Sequence, residues 1–281
     1  MISDAEIRRQ ARRSRVEPRV IELDWALGWA LWGLASVREL GSHLLFKGGT
    51  CLRKCYYPGY RFSEDLDFTA TRWTGWQAIQ EAIDEAFRNA ADASGIDFDA
   101  EDARAEIVND EYGRESLKIH RYWRGPHRRR GSPAGLRLDI TRNETVVTAP
   151  VERNVHHDYS DAEEMGALLW RCYSLEEVMA EKLRAVLGQR RHAIARDLYD
   201  IDSIRGDIDF AVVREILPAK LAAKELDAET ASPTKMQSRK VEFRTDWDRN
   251  VIPLVPEAES LEFESVWSRV STIVEAALQP A

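Results

Sequence analysis

Two short segments hold residue types that together suit phosphoryl chemistry. Lys47-Gly48-Gly49-Thr50 joins a glycine pair to a cation and a hydroxyl, and Ser63-Glu64-Asp65-Leu66-Asp67 ends in an Asp-x-Asp pair. A backbone that must approach a triphosphate closely needs residues without Cβ, because only these allow a tight turn and amide exposure together. Thr50 is predicted to open a helix, and a helix N-terminus favours anions. Two-metal phosphoryl transfer needs carboxylates holding Mg²⁺ ions roughly 3.5 to 4 Å apart, one ion activating the attacking oxygen and the other steadying the leaving group. Asp65 and Asp67 supply the nearest pair. A third carboxylate from a neighbouring strand completes such a site, and Asp139 within Leu136-Arg137-Leu138-Asp139-Ile140-Thr141 has the apolar flanks for it. An acid on an otherwise buried strand is costly unless it is paired or binds a cation. Asp110 or Glu111 could fill that third place instead. Lys47 and Arg61 are candidates for phosphate contact or for structural ion pairs. A glycine pair alone is weak evidence, but Gly-Gly-Thr followed within about twenty residues by Asp-x-Asp is stronger, since each half predicts the other.

The flanking pattern says which elements carry these groups. His43-Leu44-Leu45-Phe46 reads as a strand, and residues 50–55 have helical character, giving the order strand, tight turn, helix. After Pro58 and Gly59, residues 65–69 alternate acidic and apolar as a half-buried strand does, with Asp65, Asp67 and Thr69 on one face. A helix is predicted over 75–93, then strands near 96–98, 103–108, 115–122 and 136–141. Ser174-Leu175-Glu176-Glu177 reads as a capping box leading into a helix over 178–187, with a second helix over 197–204. Upstream, residues 18–40 carry apolar side chains at helical spacing, with Trp25, Trp29 and Trp32 near one face, and read as core packing in one long helix or a pair. Beyond about residue 206 the pattern is amphipathic helix, broken by a polar loop or linker over 225–240. The chain therefore reads as an α/β first half, 1–165, and a helical second half, 166–281.

A length of 281 residues allows one large or two modest domains with a real core. The longest apolar stretch, Trp25 to Leu34, is interrupted by Gly28 and Gly33 and falls far short of the roughly 20 residues a membrane helix needs. Residues 1–19 carry charges of both signs and no apolar core, so no signal peptide is expected, and a cytoplasmic location without a membrane partner is. Cys51, Cys55 and Cys172 form an odd, sparse set that argues against a disulfide framework. Cys51 and Cys55 share a helix face, but no His or Cys cluster in the sequence completes a metal site. They read as small buried residues, and no zinc is assigned. A net charge of -8 makes the whole molecule a poor generic nucleic-acid binder, so any RNA contact must be local. Residues 121–130 hold five arginines, Arg121, Arg124, Arg128, Arg129 and Arg130, among Tyr122, Trp123 and His127. This is either an RNA contact or a solvated hairpin loop.

The chain resembles the AbiEii/AbiGii toxin family of nucleotidyltransferase-fold proteins, which includes the MenT toxins. Four segments in the expected order carry the resemblance: residues 46–54, residues 61–68, Glu176-Glu177-Val178-Met179-Ala180-Glu181-Lys182-Leu183-Arg184-Ala185, and Arg196-Asp197-Leu198-Tyr199-Asp200-Ile201. The resemblance implies an α+β fold: a DNA polymerase β-type core, with a mixed sheet and flanking helices, and a C-terminal helical domain closing the cleft of a bilobed molecule. It implies Mg²⁺- or Mn²⁺-dependent transfer of a nucleotide from an NTP to an acceptor, in well-understood members the 3′ end of tRNA. Asp65 and Asp67 match the metal-binding aspartates, Lys182 matches a lysine that contacts nucleotide phosphate, and Asp197 matches an aspartate essential for activity. Ser63 matches a serine that a kinase antitoxin phosphorylates in some relatives, while others pair with a winged-helix antitoxin encoded nearby. The nucleotide-binding set expected here is Lys47, Gly48, Gly49, Thr50, Ser63 and Lys182, in a toxin of a toxin-antitoxin or phage-defence pair. From the residues alone, Lys182 among Glu177 and Glu181 also fits an ordinary solvated helix face, and Asp197 fits a helix start. Rival readings keep the site but move transfer to a protein or small-molecule hydroxyl, or make the chain a GTP-binding toxin without turnover.

Overall fold

The computed structural model describes residues 1–72, 75–109, 115–127, 132–142, 144–226, 231–256, 258 and 261–279. Two compact units are present: residues 1–143 with 150–172, and residues 144–149 with 173–281. In the first the chain runs α1 (Asp4–Ser14), α2 (Pro18–Ser36), α3 (Arg38–His43), β1 (Leu44–Lys47), α4 (Gly48–Cys51), β2 (Asp65–Ala70), α5 (Trp76–Ser94), β3 (Asp97–Asn109), β4 (Glu115–Arg124), β5 (Ala134–Arg142), β6 (Val151–Asn154), α6 (Ala162–Met165) and β7 (Leu169–Cys172). A π-helical turn, Leu52–Tyr56, continues α4 directly.

Among the described residues, seven strands form one sheet in the order β3-β4-β5-β2-β1-β7-β6. The sheet is mixed: β2 with β5 and β1 with β7 are parallel, and the remaining neighbours are antiparallel. The fold is α+β, as expected. The apolar stretch after residue 18 is a pair of helices, divided at Val37, whose backbone is extended. Trp25 and Trp29 are fully buried, and their indole N–H groups donate to one carboxylate oxygen of Asp161 at 2.8 and 3.0 Å. Two of the three tryptophans are core, while Trp32 is half-buried. On the sheet, the rings of Phe46, Phe68 and Trp170 pack with centroids 5.1 to 6.1 Å apart.

Three local readings change. The strands expected near 96–98 and 103–108 are one strand, β3, whose register shifts between Asp97, Glu101 and Arg104. Strands β6 and β7 were not anticipated, since neither Val151-Glu152-Arg153-Asn154 nor Leu169-Trp170-Arg171-Cys172 alternates apolar and polar residues. Cys172, at the end of β7, comes to Cys51 and Cys55 with all three Sγ atoms within 4.8 Å of one another, so the cysteine pair does gain a third member. Because β7 pairs with β1 and β6, the first unit runs on to residue 172.

The second unit comprises α7 (Leu175–Arg184), α8 (Ala195–Ile204), α9 (Phe210–Ala222), α10 (Pro233–Ser238), α11 (Lys240–Asn250) and α12 (Phe263–Ala277). Ser174 caps α7, its hydroxyl accepting from the Glu177 N–H at 3.2 Å. Only that half of the capping box forms. The Glu177 carboxylate, with no solvent exposure, instead takes the Thr148 N–H at 2.9 Å and the Lys220 ammonium at 2.7 Å. Those bonds and the Arg184–Glu144 pair at 2.9 Å hold residues 144–149 to α7 and α9. Arg269 ties α12 to α8 through Asp202 at 2.7 Å, and α10 forms within the stretch expected to be a polar break.

Candidate active site

β2 lies at the middle of the sheet and alternates as its sequence demands: Leu66 and Phe68 are fully buried, while Asp65 and Asp67 are half-buried on the opposite face. Strand register decides what surrounds them. Lys47 of β1 pairs with Asp67, Asp67 with Asp139 of β5, Asp139 with Lys118 of β4, and Lys118 with Glu106 of β3. One row across the sheet thus reads Lys47, Asp67, Asp139, Lys118, Glu106. The adjacent row reads Asp65, Arg137, His120, Arg104. Residues opposite each other on paired strands present side chains to the same face, and like charges placed so are destabilising. In these two rows the like-charged neighbours are Asp67 and Asp139, with Asp65 one step along the same strand face.

The aspartates, together with Arg104, Lys118, His120 and Arg137, line a cleft of about 600 Å³. The Oδ1 atoms of Asp65 and Asp139 are shut off from solvent and accept no hydrogen bond, although both residues have other partners. Arg137, largely exposed, stands 3.8 Å from Asp65. Burial, and then the charges of Arg137 and Arg104, push the His120 imidazole below its ordinary value against the opposing charge of Asp65. An all-oxygen carboxylate set suits a hard divalent cation such as Mg²⁺ or Mn²⁺.

The glycine turn lies directly against this set. Gly48 has φ +79°, and a Cβ there would fall 2.2 Å from Oδ2 of Asp67; a Cβ on Gly49 would fall 2.5 Å from the Arg61 guanidinium and 2.9 Å from the Ser63 hydroxyl. Asp67 on one side and Arg61 with Ser63 on the other therefore exclude any side chain from the turn. This reason for the glycines is separate from the approach of a phosphate. α4 starts at Gly48, two residues earlier than expected, with no side chain capping it. Thr50 is fully buried, and its hydroxyl donates to the Asp65 carbonyl, tying the turn to β2. Lys47, Arg61 and Ser63 are all buried.

In the second unit, Lys182 on α7 meets Asp197 at 2.7 Å and Asp200 at 2.9 Å, both on α8, and Arg190 reaches Asp197 at 3.2 Å. Lys182 is thus no solvated helix-face residue, and Asp197 is its ion-pair partner. Asp200 lies inside the quoted motif, yet its place on Lys182 was not foreseen. The signal was available: Asp197 and Asp200 are three apart, so they share one helix face. Lys118, His120 and Arg137 were also missed, because their relation to the aspartates exists only through register.

The arginine-rich stretch resolves in part. Arg121 is buried and donates to Asp84 and to Asp99, the latter at 2.8 Å, while its guanidinium lies 4.9 Å from the Phe87 ring centroid. Arg124 pairs with Asp97 at 3.6 Å. Arg121 is therefore structural. Residues Arg128, Arg129 and Arg130, and the alternative acids Asp110 and Glu111, lie outside the described residues.

A mixed sheet flanked by helices, with a glycine turn packed on cross-strand carboxylates, is the arrangement of a nucleotidyltransferase. The family model described as "Nucleotidyl transferase AbiEii toxin, Type IV TA system" matches residues 29–272. This chain belongs to that family, and so to the nucleotidyltransferase toxins of type IV toxin-antitoxin systems, in which a toxin has an antitoxin partner. The match covers the glycine turn, the three aspartates and both helices of the Lys182 cluster, and runs on through most of α12. A comparison with curated proteins returned no match. Among the described residues no helix is long and apolar enough to cross a membrane.

Proposed function

We propose that this chain transfers NMP from an NTP to an RNA hydroxyl, with the tRNA 3′ end as first choice, as the toxic half of a toxin-antitoxin or phage-defence pair acting in the cytoplasm. The observation that carries the reading is the side-by-side placement of Asp67 and Asp139, with Asp65 on the same face and Gly48 against Asp67. Two adjacent carboxylates repel each other unless a cation lies between them. Mg²⁺ or Mn²⁺ held by Asp65, Asp67 and Asp139 would supply Lewis-acid activation of the acceptor hydroxyl and neutralise the triphosphate. The acceptor oxygen bonds to the α-phosphorus, the α–β bridge breaks, pyrophosphate leaves, and the hydroxyl proton passes to solvent. Gly48 and Gly49 let the backbone approach the triphosphate, and Lys47 adds charge at the end of β1. Lys182, held by Asp197, enters as a phosphate contact through the family motif. Positioning and charge neutralisation are the main requirements of such transfer.

The test uses each of the four NTPs, labelled at the α-phosphate, with total RNA and total cell protein in the presence of Mg²⁺ or Mn²⁺. Label at RNA 3′ ends is expected, with a loss of about 10²-fold or more in Asp67→Ala and Asp139→Ala. Label confined to protein would overturn the RNA acceptor. Nucleotide binding without label in either fraction would overturn turnover, and undiminished labelling by Asp67→Ala would remove the aspartates from the site.

A further inference from the structure

Cys51 and Cys55 stand one helical turn apart, on α4 and its π-helical continuation, and Cys172 ends β7, the parallel neighbour of β1. Their three sulfurs lie within 4.8 Å of one another, and the residues are 0 %, 4 % and 0 % exposed. All three are free thiols. Two come from one helix and the third from a strand 117 positions further along the chain than Cys55, so the cluster is a product of tertiary folding. Buried thiols packing as small apolar groups do not require their sulfurs to converge on one point.

We propose that Cys51, Cys55 and Cys172 form a site for one soft, thiophilic cation, with Cu(I) as the ion it fits. Thiolate sulfur selects Cu(I) and Zn(II) over the hard cations that carboxylates hold, so this site is chemically distinct from the aspartate cleft. Coordination number separates the two soft ions. Structural zinc is almost always four-coordinate, and no fourth His, Cys, Asp or Glu joins the three sulfurs among the described residues. Three sulfurs fill a trigonal Cu(I) shell. Binding moves no electron: Cu(I) forms three Cu–S bonds, and each thiol proton goes to solvent.

The surroundings set the three thiols apart, lowering one and raising the other two. The neighbouring Cys51 and Cys55 thiols, with Arg153 acting in the same direction, hold Cys172 below the usual thiol range against the opposing effect of burial, and the Cys172 S–H donates to the Trp170 carbonyl at 3.5 Å. Burial and the neighbouring thiols raise Cys51, and the adjacent Cys172 raises Cys55, on which Lys54 acts in the opposite direction. Tyr56, also near the sulfurs, stays a neutral phenol, since burial and the cysteines push it up. Of these two cations, Lys54 is itself paired with Asp24 at 2.7 Å, and Arg153 lies 4.9 Å from the Tyr56 ring centroid. The site has a structural consequence. Cys51 directly follows Thr50, and Cys172 pairs in register with Phe46, so an ion here cross-links the helix of the glycine turn to the strand beside β1.

The test is anaerobic titration of the full, reduced chain with Cu(I) against a competing Cu(I) chelator, and in parallel with Zn(II) against a zinc chelator. One Cu(I) per chain is expected, with ultraviolet sulfur-to-copper charge-transfer absorption. Affinity should fall by more than about tenfold in Cys51→Ser and in Cys172→Ser, beyond the smallest loss that even an outer partner causes. Wild-type protein provides a readout free of folding defects: bound Cu(I) should shield all three thiols from alkylation in mild denaturant. No uptake, uptake unchanged in both variants, or unshielded thiols would each overturn the site. Zinc held more tightly than copper with a four-coordinate spectrum would overturn the three-sulfur reading, as would a disulfide formed in place of the complex.

Discussion

Gly48→Ala is the sharpest probe of how the glycine turn and the carboxylates depend on each other. The substitution imposes two costs. At φ +79° an L-residue is strained by about 1 to 2 kcal/mol. The new methyl would also meet Asp67, 2.2 Å from Oδ2 and 3.0 Å from both Cβ and Cγ. Relieving that contact by moving a carboxylate in a packed row adds the 1 to 3 kcal/mol typical of overpacking, so the total is about 2 to 5 kcal/mol. The parts separate in a double-mutant cycle. Asp67→Ala removes Oδ2 and Cγ but keeps Cβ, so Gly48→Ala in that background should retain the backbone cost and lose most of the steric one, a coupling of about 1 to 3 kcal/mol. Urea unfolding of wild type, both single variants and the double variant, in chelator so that bound ions contribute nothing, measures the four stabilities. A cost below about 0.5 kcal/mol for Gly48→Ala, or the same cost with and without the Asp67 carboxylate, would refute the close packing of turn on acid. In the labelling assay the same substitution should lower transfer by about 10²-fold, the usual consequence of displacing a reacting group by about 1 Å.

Lys182→Met should destabilise by about 3 kcal/mol, the low end for breaking a buried ion pair, because Asp197 and Asp200 lose their ammonium while Arg190 still reaches Asp197. Adding Asp197→Asn should recover part of that loss in urea unfolding, and no recovery would mean that the pair is not coupled. Acid sensitivity should trace to Asp161, 3 % exposed. Burial pushes its carboxyl up, but hydrogen bonds from His157, Trp25 and Trp29 outweigh it and bring the group from 3.8 down to about 2. A carboxylate depressed by folding stabilises above its unfolded pKa, and that contribution, about 2 kcal/mol, is lost as pH falls from about 4 towards 2. Unfolding midpoints across that window should fall less steeply in Asp161→Asn, and an unchanged slope would exclude the group.

What the sequence determined by itself is what short-range periodicity can encode. Alternation along β2 set Asp65 and Asp67 on one face, helical spacing buried Trp25 and Trp29, and Ser174 was legible as a cap because its partner N–H is three residues away. The pairing of strands is not encoded at that range. Asp139 becomes the neighbour of Asp67 through a parallel register between strands about seventy residues apart, and Lys118 and His120 enter through the next strand over. The same limit explains Arg121, which read as either an RNA contact or part of a solvated loop, whereas Asp84 and Asp99 hold it. It also explains the cysteines: the helix aligned Cys51 with Cys55, but only the placing of β7 beside β1 brought Cys172 to them. A side chain's face follows from its own strand or helix, whereas its neighbours follow from which segments the core packs together.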